Sequence, residues 1–374
     1  MEGKKKKLRI STKIPLLFFV LCIIINVAAW LSKGFSDWYI KNVFPLWERT
    51  MGKLTSMVSF SVGEILIIIA LIWIPVSLII LIILLIKKKG RRGKVFKGFC
   101  KIYFWLITFI LVTETLNCFV LYHGSEFSEL YSMPQKEYNS QQLAKLCEDI
   151  IVKTNDCSGK VKRDKDGKFV LTSDLDETAK SAVKNLSKDY PQLNGFYCTP
   201  KPVKCSYFMS QQYLMGIYFP FTMEANYNQE MYSSNLPDTV CHELVHTKGF
   251  IREDEASFIA FLACTKSDNA DYQYSGYLNA LDYVLNQTLE NCDEETSEKL
   301  IKMISEPVAK DYTSDKEYWR KVNEDDSGLV SSKTLAKISD KVMDTSLKLN
   351  GVEDGKKSYG RMVDLLLNYY YGGK

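Results

Sequence analysis

His242 and His246 stand four residues apart, with Glu243 beside the first, in the stretch His242-Glu243-Leu244-Val245-His246. On a helix, positions i and i+4 lie one above the other on one face. Two imidazoles placed this way can hold one Zn²⁺, and the adjacent carboxylate can take a proton from water activated by the ion. The chain has only three histidines, and this motif uses two of them. That economy argues against a surface helix with incidental polar residues. A zinc-binding protein without turnover would carry the same residues, because Glu243 alone guarantees no catalysis.

A catalytic zinc needs a third protein ligand and an open position. Gly249 lies three residues past His246, where a glycine can end the helix in the left-handed conformation and turn the chain. In the metzincin pattern H-E-x-x-H-x-x-G-x-x-H the last histidine ligates. Here Arg252 occupies that position and cannot. Glu253 is therefore the expected ligand and Glu255 the alternative; the plain reading is an acidic first turn complementing the helix dipole. Glu253 shares a helix face with Ser257 and Ala260, whereas Glu255 points roughly 200° away at 100° per residue. Glu253 to Ala260 resembles the E-x-E-A-[DN]-x-x-A segment of several glutamate-ligated zincins, whose first glutamate binds the metal. Ser257 replaces the Asp or Asn that steadies a ligating histidine there.

Other elements must place these groups. Pro237 suits the first turn of the motif helix, and a second helix is expected from about Arg252 through Cys264. Ahead of the motif, Tyr213 to Phe219 reads as a strand. In zincins an edge strand before the active-site helix pairs with extended substrate. Phe221 to Asn226 would then lie near the cleft, making Glu224 and Asn226 candidate substrate contacts; a core hairpin fits the pattern equally well. Tyr274 opens a further helical stretch and could hydrogen-bond an oxyanion, although in a chain with 22 tyrosines core packing is the simpler role. Ser140 and Ser173 could each cap a helix. From Glu294 to Tyr371 the chain reads as charged amphipathic helix with a turn near Asn350-Gly351.

The formal net charge of the 374 residues is only +4, but the positive residues are clustered. Lys4, Lys5, Lys6, Lys7, Arg9 and Lys13 precede an apolar run at 14–31. Two more runs lie at 58–86 and 99–122, separated by Lys87-Lys88-Lys89-Gly90-Arg91-Arg92-Gly93-Lys94. Each run can cross a hydrocarbon core of about 30 Å. Positive residues mark the cytoplasmic side, so residues 1–13 are expected inside and everything from 123 to 374 outside. Both basic blocks abut a span, which argues against a nucleic-acid partner. The first run exceeds a typical signal-peptide core and reads as an uncleaved anchor. Glu64, Glu114 and Asn117 are polar residues within the spans. Seven cysteines lie beyond the spans, an odd number; Cys147 with Cys157 and Cys198 with Cys205 are close enough in sequence to pair. No P-loop, dinucleotide fingerprint or internal repeat is present.

Three spans, Leu116-Asn117-Cys118 leading to Leu121-Tyr122-His123, Tyr218-Phe219-Pro220-Phe221-Thr222 with Glu224-Ala225-Asn226, His242 through Ala263, and Ser358-Tyr359 before an apolar helix together resemble the bacterial domain of unknown function 3810 family. The resemblance covers nearly the whole chain and implies a membrane-bound zinc metallopeptidase without a defined substrate. The expected fold is mainly α with a small β-sheet: a three-helix transmembrane region (14–122) and a zincin-like α+β domain outside. The expected activity is hydrolysis of a peptide or protein substrate, with Zn²⁺ on His242, His246 and Glu253 and with Glu243 as the base. The alternative is a membrane receptor or scaffold whose zinc is structural, closed by a fourth ligand such as Cys241, Cys264 or Glu255. A protease working within the bilayer fits poorly, because charged residues flank both histidines.

Overall fold

The computed structural model describes residues 10–134, 136–325, 331–350 and 359–372. The basic residues Lys4, Lys5, Lys6, Lys7 and Arg9, together with Gly351 and Ser358, lie outside the described residues.

The chain is mostly helical and carries three helices long and apolar enough to cross a bilayer: Ile10–Leu31, Val62–Lys87 and the composite Lys89–Tyr122. It is a multi-pass membrane protein. Most of the large apolar side chains on the first two helices are exposed, as lipid-facing surface requires. The third is longer than a 30 Å core demands. Its last turns, from Thr115, form a π-helical segment followed by Val120–Tyr122, and Val120, Leu121 and Tyr122 are buried. The third span therefore continues into the folded body. Glu64 serves at the rim of the second span, where its carboxylate accepts the Lys204 and Cys205 amides at 3.0 and 2.7 Å.

The segment between the first two spans is folded too. Short helices run through Lys33–Asn42 and Phe44–Trp47 to Lys53–Thr55. Ala29, Tyr39, Ile40, Phe44, Tyr122, Tyr218 and Ile251 share one apolar cluster. Deep in the same contact, Glu48 pairs with Lys248 at 2.6 Å. Spans and C-terminal body are thus joined by packing at three places along the chain.

The main core lies in the C-terminal body, where helices Ser140–Ser158, Leu175–Asn185, Leu236–His246, Glu253–Thr265 and Ala270–Asn291 meet. Asn139 and Asp174, each one residue from the expected serine, cap the first two. Among the described residues the sheet has three strands, β1 (Lys201–Val203), β2 (Gly216–Phe219) and β3 (Glu224–Asn228), in the order β1-β3-β2. β1 runs parallel to β3 and β2 antiparallel, with Tyr218 opposite Ala225 and Phe219 opposite Glu224. The mainly α fold with a small sheet is as expected, but the strand before the motif is shorter. Tyr213 has a φ of 56°, a left-handed conformation that breaks an extended run. All ten cysteines are free, so neither Cys147–Cys157 nor Cys198–Cys205 is bonded.

Candidate metal centre

The motif helix Leu236–His246 begins with Pro237 in its first turn, where a missing amide proton costs nothing. It ends at His246, and Gly249 takes φ +89° in the turn that follows. The chain reverses through Phe250 and Ile251, and a second helix starts at Glu253 with Arg252 at its N-cap. Arg252 is held away from the histidines by Glu126 (2.8 Å) and the Tyr122 carbonyl (3.1 Å). Phe258, Ala260 and Phe261 are buried, and this packing fixes the second helix against the first.

The turn brings Glu253 to both imidazoles. Its Oε2 lies 3.1 Å from His242 Nε2 and 3.7 Å from His246 Nε2, and one ligand atom from each of the three residues falls within 4.8 Å of the others. Two ligand atoms each ~2.0–2.1 Å from a tetrahedral ion stand ~3.3 Å apart. The observed separations bracket that value, so the three groups fit a single metal ion. Among the described residues this is the one such cluster of three.

Each ring is held through its other nitrogen. His246 Nδ1 is 2.8 Å from the Phe250 carbonyl, which can only accept, so Nδ1 carries a proton and Nε2 is the nitrogen that presents a lone pair once the ring is neutral. Ser257 Oγ is 3.2 Å from His242 Nδ1 and holds that ring in place; a hydroxyl can accept from Nδ1, the arrangement that frees Nε2. A serine thus makes the contact for which the related segments use Asp or Asn.

Charge is balanced in the cluster. Burial opposes ionisation of Glu253, but the two imidazoles outweigh it and hold its carboxyl well below the usual range. Burial likewise disfavours charge on His246, yet Glu253 lifts it to about 9. Burial dominates at His242 and lowers it. The Glu253 side chain is 38% exposed while His246 is 5%, so the open side of the cluster is the carboxylate side.

Glu243 projects toward β2. Burial raises its carboxyl to about 8, against the lowering effects of His246 and the Tyr218 amide. Its Oε2 is buried without a partner. Gly216 leaves room for it, because a Cβ there would stand 2.6 Å from Glu243 Cγ. The Tyr218 ring sits 6.2 Å from that of His246. From the third span, Cys118 and Tyr122 come within electrostatic reach of Glu253.

For three further candidates, Glu224, Asn226 and Tyr274, the structural alternative holds and the substrate or oxyanion role does not. Side chains alternate across a strand, and Tyr218 and Ala225 face the motif helix. Glu224 and Asn226 therefore face the opposite side of the sheet. Glu224 accepts the Val62 and Gly63 amides at 3.0 and 2.7 Å and pairs with Lys201 at 2.6 Å, anchoring the N-terminus of the second span. Asn226 donates to the Ile217 carbonyl across the strands at 3.3 Å. Tyr274 is fully buried, with its hydroxyl 2.5 Å from Asp311 and its ring beside Phe169. Its hydroxyl is committed to structure. Glu255 also points away, taking the Phe127 amide at 2.7 Å, and Cys241 and Cys264 are core residues in mutual contact. Sequence reasoning missed Gly216, Tyr218 and the Phe250 carbonyl. Gly216 and Tyr218 fall inside the expected strand without any mark of a site role, and a backbone carbonyl carries no sequence signal.

A family model described as "Protein of unknown function (DUF3810)" matches residues 39–367. No curated protein and no solved structure matches the chain.

Proposed function

The chain belongs to the DUF3810 family, and we propose that it is a membrane-anchored zinc metallopeptidase working at the extracytoplasmic face. The convergence of Glu253 on His242 and His246, with Glu243 one residue away and its Oε2 buried without a partner, carries this reading. The donor set of two imidazoles and one carboxylate is that of a catalytic zinc with an open position.

When bound, zinc would acidify water and polarise the scissile carbonyl. Glu243 takes the proton of the attacking water and passes it to the departing amine. Water adds across the amide: a C–O bond forms, the C–N bond breaks, and a carboxylate and an amine leave. The buried position of Glu243 suits this role, because a carboxyl raised toward neutrality both accepts and returns a proton. The Phe250 carbonyl and Ser257 keep both rings turned for binding.

Orientation follows from charge. The turn at 88–91 lies at the end of the spans opposite the folded body and is rich in Lys and Arg. By the positive-inside rule it is cytoplasmic, and the metal centre is then outside. A structural zinc fits less well, since Cys241, Cys264 and Glu255 are engaged elsewhere and supply no fourth ligand.

The test is Glu243→Gln in the full-length protein. It should bind zinc as the wild type does and lose peptide hydrolysis by about 10³-fold or more. Hydrolysis unchanged in this variant would refute the role of Glu243.

A further inference from the structure

β2 joins the metal centre to the membrane. It begins at Gly216, against Glu243, and ends at Phe219. Phe219 packs on Gly63 at the start of the second span, so closely that a Cβ there would stand 2.6 Å from its ring. Asn117 of the third span donates to the Pro220 carbonyl at 2.9 Å. Phe221 lies 6.1 Å, ring to ring, from Phe109 of the same span. Phe109 is five residues before Glu114, about 7–8 Å farther along the helix. The strand thus descends from Glu243 to the apolar level of the spans.

The other side of β2 is an edge. Among the described residues β2 pairs only with β3. The Asn228 amide donates to the Met215 carbonyl at 2.8 Å, and in this register antiparallel alternation turns the backbone groups of Gly216 and Tyr218 outward, on the side where Glu243 meets Gly216. Ile217, between them, is exposed. Such an edge takes an extended peptide by strand addition. A peptide lying along it passes Glu243 at one end and reaches lipid level at the other. Phe221 lies two residues past the end of β2, in the turn 220–223 that leads to β3, so it stands at most about 10 Å from Tyr218.

We propose that the substrates are polypeptides anchored in the same bilayer, cut about three to six residues from the point where they enter the lipid. This rests on the peptidase reading above and names its substrate class. A membrane tether holds the segment at the height of the strand, and raises its effective concentration. A soluble peptide gains neither advantage.

The test uses full-length, zinc-loaded protein in phosphatidylethanolamine–phosphatidylglycerol vesicles. A photoreactive phenylalanine analogue replaces Ile217. The probes are a pool of randomised decapeptides fused, at either end, to a single apolar helix through 3-residue or 25-residue spacers, beside the same pool as soluble peptides. Cleavage and photo-crosslinking are both read. Short-spacer probes should be cut at least about tenfold faster than long-spacer or soluble ones and should crosslink preferentially at position 217. Equal cleavage of all three overturns the membrane-anchored class and leaves the peptidase reading standing. Preferential crosslinking of short-spacer probes without any hydrolysis upholds the docking and overturns the peptidase. Neither crosslinking nor hydrolysis overturns both.

Discussion

Gly216 and Glu243 meet so closely that no side chain fits between them: a Cβ on Gly216 would stand 2.6 Å from Glu243 Cγ and 2.7 Å from Cδ. The strand therefore sets the position of the carboxylate. Gly216→Ala should push Glu243 off line and lower kcat by about 10²-fold, with zinc content unchanged. Turnover and metal content measured on one preparation check this. A variant with wild-type kcat would show that the strand does not position the base.

Ser257 stands where related segments place Asp or Asn, and it contacts His242 Nδ1. Ser257→Ala should weaken zinc binding by about 10–100-fold. Ser257→Asp, a stronger acceptor, should restore it. Competition against a chelator of known affinity measures both, and equal affinity in all three proteins would remove Ser257 from the account.

Glu224 is predicted to act in stability and not in turnover. It neutralises Lys201 in a buried pair and caps the second span. Glu224→Gln strands the Lys201 ammonium and should cost about 3–5 kcal/mol. Thermal unfolding in detergent gives the loss. Tyr274→Phe should likewise leave kcat unchanged while lowering stability by about 1–3 kcal/mol, because the buried Asp311 loses a donor.

Asp238 supplies a pH prediction away from the metal. Burial lifts its carboxyl to about 7, partly offset by the Asn279 amide, against 3.8 in an open chain. A raised acid favours the protonated native state. Its stability contribution is full below pH 3.8 and is lost as pH rises toward 7, by at most about 1.4 kcal/mol per unit. Asp238→Asn should therefore raise Tm relative to wild type at pH 8, with the difference closing toward pH 4. A difference constant across that range would contradict the assignment.

What the sequence made legible was what is local. The imidazole spacing, the turn at Gly249 and the face shared by Glu253 and Ser257 are set by helix geometry within 16 residues. The spans follow from length and apolarity. What it hid is long-range. Nothing near Glu224 announces that its partner is the amide of Gly63, and nothing near Glu48 points to Lys248. Core packing was the simpler reading of Tyr274, but its partner Asp311, 37 residues away, was not visible. Strand alternation could have separated Glu224 and Asn226 from the site, but only once the face turned to the motif helix was known.

The most direct test of the central claim is the zinc content of purified full-length protein measured beside that of Glu253→Ala. The wild type should hold about one zinc per chain, and Glu253→Ala should lose it at chelator concentrations the wild type withstands. Zinc held equally well without the Glu253 carboxylate, or no zinc in the wild type, would contradict the account.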